Sequence, residues 1–398
     1  MTTTTATRHG HGLALGLIVA STVLGLMGTD LVLPAVPSLP EALGGDAAAA
    51  QLVLAAYVAG TAIGLLVYGA LGDRFGTRPL LIGSLLGTGV VSLTCAAAPD
   101  IWTLVVLRAV QGAVASGPAV FAPGIVRTLF DDAGTVRALG LLGSIESLAP
   151  ALAPILGAWL LHLAGWQASF EVIGVLALLL ALAFAIHRGL PQSARRLSGS
   201  YARLLTDPIY LRYCLSHALT LGGLLVFVFG APAVIVRAFG GELSGFITMQ
   251  VCGIATFVIA ANIAGRLTVR RGAETMISFG TVLSAIGSAC ILAYALAGGC
   301  NIWIVIALFV PMNIGLGLRG PPGFFRAVIA SRGDDARGAA LVILGIVGIS
   351  ALGTAVVAPF IEHGLVPLAL ATAAIQVGAC LCLLLPRLPG PSASTNVL

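Results

Sequence analysis

The feature that most constrains this chain is a repetition. Twelve apolar stretches of about twenty residues follow one another, and most charged residues fall in the short segments between them. About twenty apolar residues in helical form cross the hydrocarbon of a bilayer. The spans read as 13–33, 50–71, 79–98, 101–123, 138–162, 168–187, 209–236, 245–265, 274–297, 302–325, 339–360 and 365–386. Only 9% of the 398 residues are charged, against roughly a quarter in a soluble domain. That is too little to cover a water-facing surface, which excludes a soluble enzyme, a secreted disulfide scaffold and a disordered chain. A β-barrel would alternate apolar and polar residues in shorter segments. The fold class is therefore an all-α membrane protein with twelve transmembrane helices.

The charges set the orientation. All 20 basic residues are arginine, and the net charge is +5. Segments 1–12, 72–78, 124–137, 188–208, 266–273, 326–338 and 387–398 hold Arg8, Arg74, Arg78, Arg127, Arg137, Arg188, Arg195, Arg196, Arg203, Arg266, Arg270, Arg271, Arg326, Arg332, Arg337 and Arg387. The opposite side holds Arg237. Arginine-rich loops face the cytoplasm, so both termini are expected inside, as tails 1–12 and 387–398. This placement also argues against a nucleic-acid partner. The first apolar run lacks a small-residue cleavage site and reads as a retained helix. Segment 188–208 divides the chain into six-helix bundles 13–187 and 209–386, the layout of transporters that rock two halves about a central site. The seven cysteines show no metal-ligand spacing and read as packing residues. No nucleotide-binding signature or catalytic constellation is seen, so neither a cofactor nor an enzymatic activity is expected.

Four motifs carry a family likeness. GALGDRFGTRPLL (69–81) resembles the loop signature of the major facilitator superfamily through Gly69, Leu71, Asp73, Arg74, Gly76 and Arg78. LRAVQG (107–112) resembles its fourth-helix motif, and APALAPILGAWL (149–160) its fifth-helix antiporter motif. TDLVLPAVP (29–37) resembles the first-helix signature of twelve-helix drug:proton antiporters of the Bcr/CflA and chloramphenicol/florfenicol exporter type. Three positions depart from the pattern. Gly265 stands where a second-half copy of the loop would carry an acid. Gly157-Ala158 replaces a double glycine. Glu146 lies outside the standard motif. The resemblance implies two pseudo-symmetric six-helix bundles, a central cavity lined by helices 1, 4, 5, 7, 8, 10 and 11, and proton coupling through Arg108.

The candidate site residues follow from depth. Asp30 is expected in the outer third of the bilayer, roughly 25 Å from the inner end of its helix. An ionisable residue within a span is functional by default; the alternative is an interfacial acid before Pro34. Arg108, at similar depth on the fourth helix, is its expected partner, with Gln111 one turn deeper. The alternative for Arg108 is snorkelling or a tie to backbone carbonyls. Glu146 shares a helix face with Pro150 and Pro154. It reads as a proton or cationic-substrate site, or as a structural carboxyl. The two prolines read as a gating bend or a static kink, with Gly157 close by. Gly72, Asp73, Arg74, Gly76 and Arg78 are expected to brace the inner end, with Arg127, Arg137, Asp131 and Asp132 nearby. Tyr57, His217, Phe227, Phe229, Phe309 and Arg319 are candidate cavity residues, with packing, lipid contact or snorkelling as alternatives.

These features point to a monomeric secondary transporter in a bacterial inner membrane, exporting small amphiphilic compounds in exchange for protons. Its partners are the substrate, protons and the lipid bilayer. An uptake symporter or uniporter on the same fold is the alternative, and a non-transporting membrane sensor is a further one.

Overall fold

The computed structural model describes residues 3–186, 199–235, 239–240 and 243–388. Twelve long helices follow in order. The first six are α1 (Thr3–Asp30), α2 (Ala47–Phe75), α3 (Thr77–Ala96), α4 (Ile101–Leu129), α5 (Asp132–Ala164) and α6 (Gln167–Ile186). The second six are α7 (Pro208–Ala233), α8 (Leu243–Arg271), α9 (Ala273–Leu296), α10 (Ile302–Ala330), α11 (Asp335–Val357) and α12 (Leu365–Cys382). Among the described residues, eleven spans are long and apolar enough to cross a membrane, and α5 contributes the shorter apolar segment Leu152–Ala164.

Local chemistry sets the helix ends. Asp46, Asp100, Asp131, Asp207 and Asn301 each accept a hydrogen bond from a backbone N–H in the first turn, satisfying donors that a helix start leaves unpaired. The Asp100 carboxyl, outside the span, is held below its ordinary pKa by the Thr103 amide and hydroxyl. Gly76, at φ 82°, turns α2 directly into α3, a conformation that glycine adopts without a Cβ penalty. The helix of α4 breaks at Ser116, before Gly117 and Pro118, because proline cannot donate to the preceding turn.

Several boundaries differ from expectation. Helix α1 reaches back to Thr3, into the segment read as a tail, and its apolar span runs on through short helical turns to Leu43. Helix α5 starts at Asp132 instead of 138, and α12 ends at Cys382 instead of 386. Part of the linker (187–198), Arg237 and residues 389–398 lie outside the described residues. The remainder of the linker contains a short helix, Tyr201–Thr206, that sequence periodicity did not announce.

The two sets of six pack alike. Helix α2 crosses α4 as α8 crosses α10, and α3 pairs with α6 as α9 pairs with α12. Glycine makes these crossings close. A Cβ at Gly60 would stand 1.9 Å from the Ala109 carbonyl oxygen, and one at Gly112 2.0 Å from that of Tyr57. In the second half, a Cβ at Gly280 or Gly315 would stand 2.4 Å from the other's carbonyl oxygen. Hydrocarbon offers little hydrophobic drive for helix association, so small residues that let backbones touch carry much of the packing. The halves meet through α2 and α4 against α11, and α5 against α8 and α10. The contacting residues, among them Gly69, Gly72, Arg137 and Gly140 in the first half, lie toward the arginine-rich ends of their helices.

Gly112→Ala tests this packing. It should lower stability by about 1–3 kcal/mol, the usual cost of overpacking. Gly348→Ala, where no atom lies within 4 Å of the added Cβ, should be near neutral. Thermal unfolding of the two purified variants checks the difference.

Candidate functional site

Arg108 projects from α4 into the interior of the first half and is fully buried. Its Nε donates to the Val53 carbonyl of α2 at 3.1 Å, and its Nη1 to the Gly28 carbonyl of α1 at 2.9 Å. Nη1 also donates to Gln111 Oε1 at 2.7 Å. The guanidinium lies 4.2 Å from the Tyr57 ring centroid, within cation–π range. Gln111 in turn donates to Ser92 Oγ at 2.7 Å. Ser92, Thr88 and Ser84 form a buried ladder of hydroxyls along α3. Their i, i+4, i+8 spacing was visible in the sequence but was not singled out.

The expected Arg108–Asp30 ion pair does not form among the described residues. Arg108 takes the alternative course and ties three helices together through carbonyls. Gly28, which accepts from Arg108, lies two residues before Asp30 on α1. Tyr57 also ties α2 to α1: its hydroxyl donates to the Gly25 carbonyl at 2.7 Å. Asp30 is half-buried. Because the span runs on to Leu43, Asp30 stands roughly 20 Å of helical rise short of its end.

Glu146 of α5 is half-buried and lies beside Thr22 of α1, whose hydroxyl donates to the Val19 carbonyl at 3.0 Å. Thr22 precedes Asp30 by eight residues, so the two carboxyls are separated by roughly 12 Å along the helix axis. Just below Glu146, the Ser144 hydroxyl accepts from Asn262 Nδ2 of α8 at 2.9 Å, a bond between the halves. Helix α5 runs unbroken through both prolines. Pro154 is half-buried, and the Pro150 side chain lies outside the described residues. Gly157 packs on the carbonyl of Leu31, just beyond the end of α1, where a Cβ would come within 2.2 Å. At Gly157, then, the motif face meets its own half and not the opposite one.

The arginine-rich end forms a seal between the halves. Arg127 Nη1 reaches both carboxylate oxygens of Asp335 at 2.9 Å. Arg337 Nη2 donates to the Ala70 carbonyl at 3.2 Å. A Cβ at Gly72 would touch Ala336 and Phe121 at 3.0 Å, so glycine lets α2 meet α11. Of the expected bracing residues, Gly72 sits in the seal and Gly76 makes the adjoining turn. Arg74 is exposed beside Phe75. Arg78 is directed within the first half, where its Nη2 donates to the Phe184 and Ala185 carbonyls. The Asp73 side chain lies outside the described residues. Asn262, Asp335 and Arg337 were missed as seal residues.

The expected cavity residues are largely interior. Tyr57, His217, Phe227, Phe309 and Arg319 are buried, and Phe229 is 55% exposed. Phe227 and Phe309 stack at 5.4 Å in the core of the second half. Arg319 binds the Ser216 carbonyl and hydroxyl at 2.8 and 3.1 Å, tying α10 to α7. It does not snorkel. His217 packs its ring on Phe324 at 5.4 Å.

Comparison with known proteins agrees with this architecture. The model of the Major Facilitator Superfamily matches residues 18–358. An uncharacterized MFS-type transporter, YdgK, of Bacillus subtilis (strain 168) is 29% identical over 81% of this chain and 82% of its own length. A chloramphenicol resistance protein of Pseudomonas aeruginosa is 30% identical, covering 65% and 62%. A bicyclomycin resistance protein homolog of Haemophilus influenzae is 25% identical, covering 76% and 77%. Among solved structures, the transporter FucP in its outward conformation shares the fold with a TM-score of 0.71. It is 16% identical and covers 94% of this chain and 99% of FucP.

The seal supports a charge-swap test. Arg127→Asp and Asp335→Arg should each raise hydrogen exchange in residues 69–75, and the double variant should recover part of the protection. A part-exposed pair of this kind is worth about 0.2–1 kcal/mol. Exchange mass spectrometry of the three variants reads the effect.

Proposed function

The chain belongs to the Major Facilitator Superfamily, and we propose that it is a proton-coupled exporter of small amphiphilic compounds, working by alternating access. The carrying observation is a pair of half-buried carboxyls, Asp30 and Glu146, beside cross-half bonds that join the arginine-rich end. Arginine-rich loops belong to the cytoplasmic face, so on this reading the joined end is the cytoplasmic gate of a protein in a bacterial inner membrane. The relatives named for resistance to chloramphenicol and bicyclomycin support an amphiphilic drug-like substrate.

In the proposed cycle, Asp30 and Glu146 take protons from the open side. Protonation and substrate occupancy alternate, since a ligand shifts the equilibrium only through its different affinity for the two states. Arg108, bound to the Gly28 carbonyl two residues before Asp30, supplies a fixed positive charge near that carboxyl. Being a guanidinium, it keeps its charge throughout. Inward flow of protons then drives substrate outward.

The test is made in proteoliposomes holding a pH dye, with a panel of amphiphilic drugs that includes phenicols. Addition of a transported drug to wild type should evoke proton movement opposite to the drug. Asp30→Asn or Glu146→Gln should abolish it, and Arg108→Ala should weaken or abolish it. Movement of drug and proton in the same direction would make the protein a symporter. A folded protein that moves no protons with any compound would overturn the export reading.

A further inference from the structure

The short linker helix Tyr201–Thr206 lies between the two halves in sequence, yet its contacts are not symmetric. Three anchors tie it to the second half. Leu204 is buried among Tyr210, Ile277, Ala330 and Val342. Arg203 Nη2 donates to the Ser331 carbonyl at 2.8 Å and to Asp334 Oδ2 at 2.7 Å. The Ser200 amide also donates to Asp334 Oδ2, at 3.2 Å. Asp334 is itself buried and accepts from Arg337 at 2.8 Å.

One side chain reaches the other way. The Tyr201 hydroxyl donates to the Leu66 carbonyl of α2, in the first half, at 2.6 Å. A helix carbonyl has a second lone pair available for such a bond. The landing place is shaped for it: a Cβ at Gly69, less than one turn further along α2, would come within 2.2 Å of the Tyr201 oxygen. Arg337, which donates to the Ala70 carbonyl, also lies 5.7 Å from the Tyr201 ring.

We propose that the linker helix is a latch on the alternating-access cycle, with Tyr201 as its bolt. It moves with the second half and holds the arginine-rich end shut by gripping α2 at Leu66 and Gly69. When α2 and α11 part at this end, the linker helix keeps its anchors on Asp334 and Ser331, so the bond to Leu66 must break. A bond present in one state and absent in the other shifts the balance between them. Loss of one net hydrogen bond changes such a balance roughly two- to tenfold. The proposal rests on alternating access, but not on the substrate or the direction of transport.

Hydrogen exchange of the full chain in lipid nanodiscs tests it, using Tyr201→Phe, Arg203→Gln and the double variant. Tyr201→Phe keeps the ring and removes the bolt; Arg203→Gln loosens the anchor. Both should speed exchange in residues 137–144 and 257–265, a part of the seal built on α5 and α8. The double variant should do no more than the stronger single one, since bolt and anchor act in series. Faster exchange confined to residues 199–207 would mean a merely local tie and would overturn the latch, as would unchanged exchange. If the exchange shifts although no drug moves protons in wild type, the latch stands and the export reading falls. If wild type exports and the exchange does not shift, the latch alone falls.

Discussion

Hydrocarbon has no water with which to satisfy a polar group, and Arg108 shows how the first half meets that constraint. Its charge is buried with backbone carbonyls and a ring, not a carboxylate, for company. That arrangement depends on how closely α2 and α4 approach. Gly112 lies one turn beyond Arg108 on α4 and touches the Tyr57 carbonyl, one turn beyond Val53 on α2. A larger residue at Gly112 would push α2 away and carry the Val53 carbonyl out of reach. Packing and electrostatics are one problem here: the same absence of a Cβ sets the helix distance and the solvation of the cation.

The seal is built on a different principle. Arg127, Asp335 and Arg337 are partly exposed, and each bond they make is modest. Asn262 and Ser144 add one neutral hydrogen bond. None of these need hold permanently, and weak cross-half bonds are what a reversible closure requires. The permanent bonds lie within halves: Arg319 to Ser216, Arg78 to the end of α6, and Arg212 to the carbonyls of Leu383 and Leu385 with Glu274. The fully buried arginines, Arg108, Arg212 and Arg319, bind within one half, while Arg127 and Arg337 reach across to the other.

Much of this architecture was legible in the sequence because it is local. Span length, arginine position and the midpoint linker mark the helices and the two halves, and the i, i+3 pair Arg108 and Gln111 already suggested a network. What remained hidden needs partners far apart in sequence. Arg127 meets Asp335 across 208 positions and Tyr201 meets Leu66 across 135, and no periodicity records such meetings. The Asp30–Arg108 pairing failed for another reason. Depth along a helix can be counted from residues, but the direction a side chain takes around the axis cannot. Nor does a sequence reveal that a glycine crossing will present a carbonyl where an acid was expected. Among the cavity candidates, Phe227 and Phe309 take the packing alternative, stacked on each other inside their own half.

The two carboxyls are therefore not equivalent in the proposed cycle. Arg108 binds α1, α2 and α4 of one half, so its surroundings travel with it as a rigid unit. Asp30 stands at that unit's edge and keeps the same nearby cation in either state. Glu146 lies two residues from Ser144, whose bond to Asn262 exists only while the halves are closed at the arginine-rich end. When that end opens, the seal beneath Glu146 is removed, and water can approach from the other face. The proposed cycle would therefore assign ligand response to Asp30 and proton exchange, timed by the cross-half bonds, to Glu146. The proposed cycle would thus carry the proton between two sites roughly 12 Å apart along the helix axis, with the fixed cation near one and the cross-half bonds near the other.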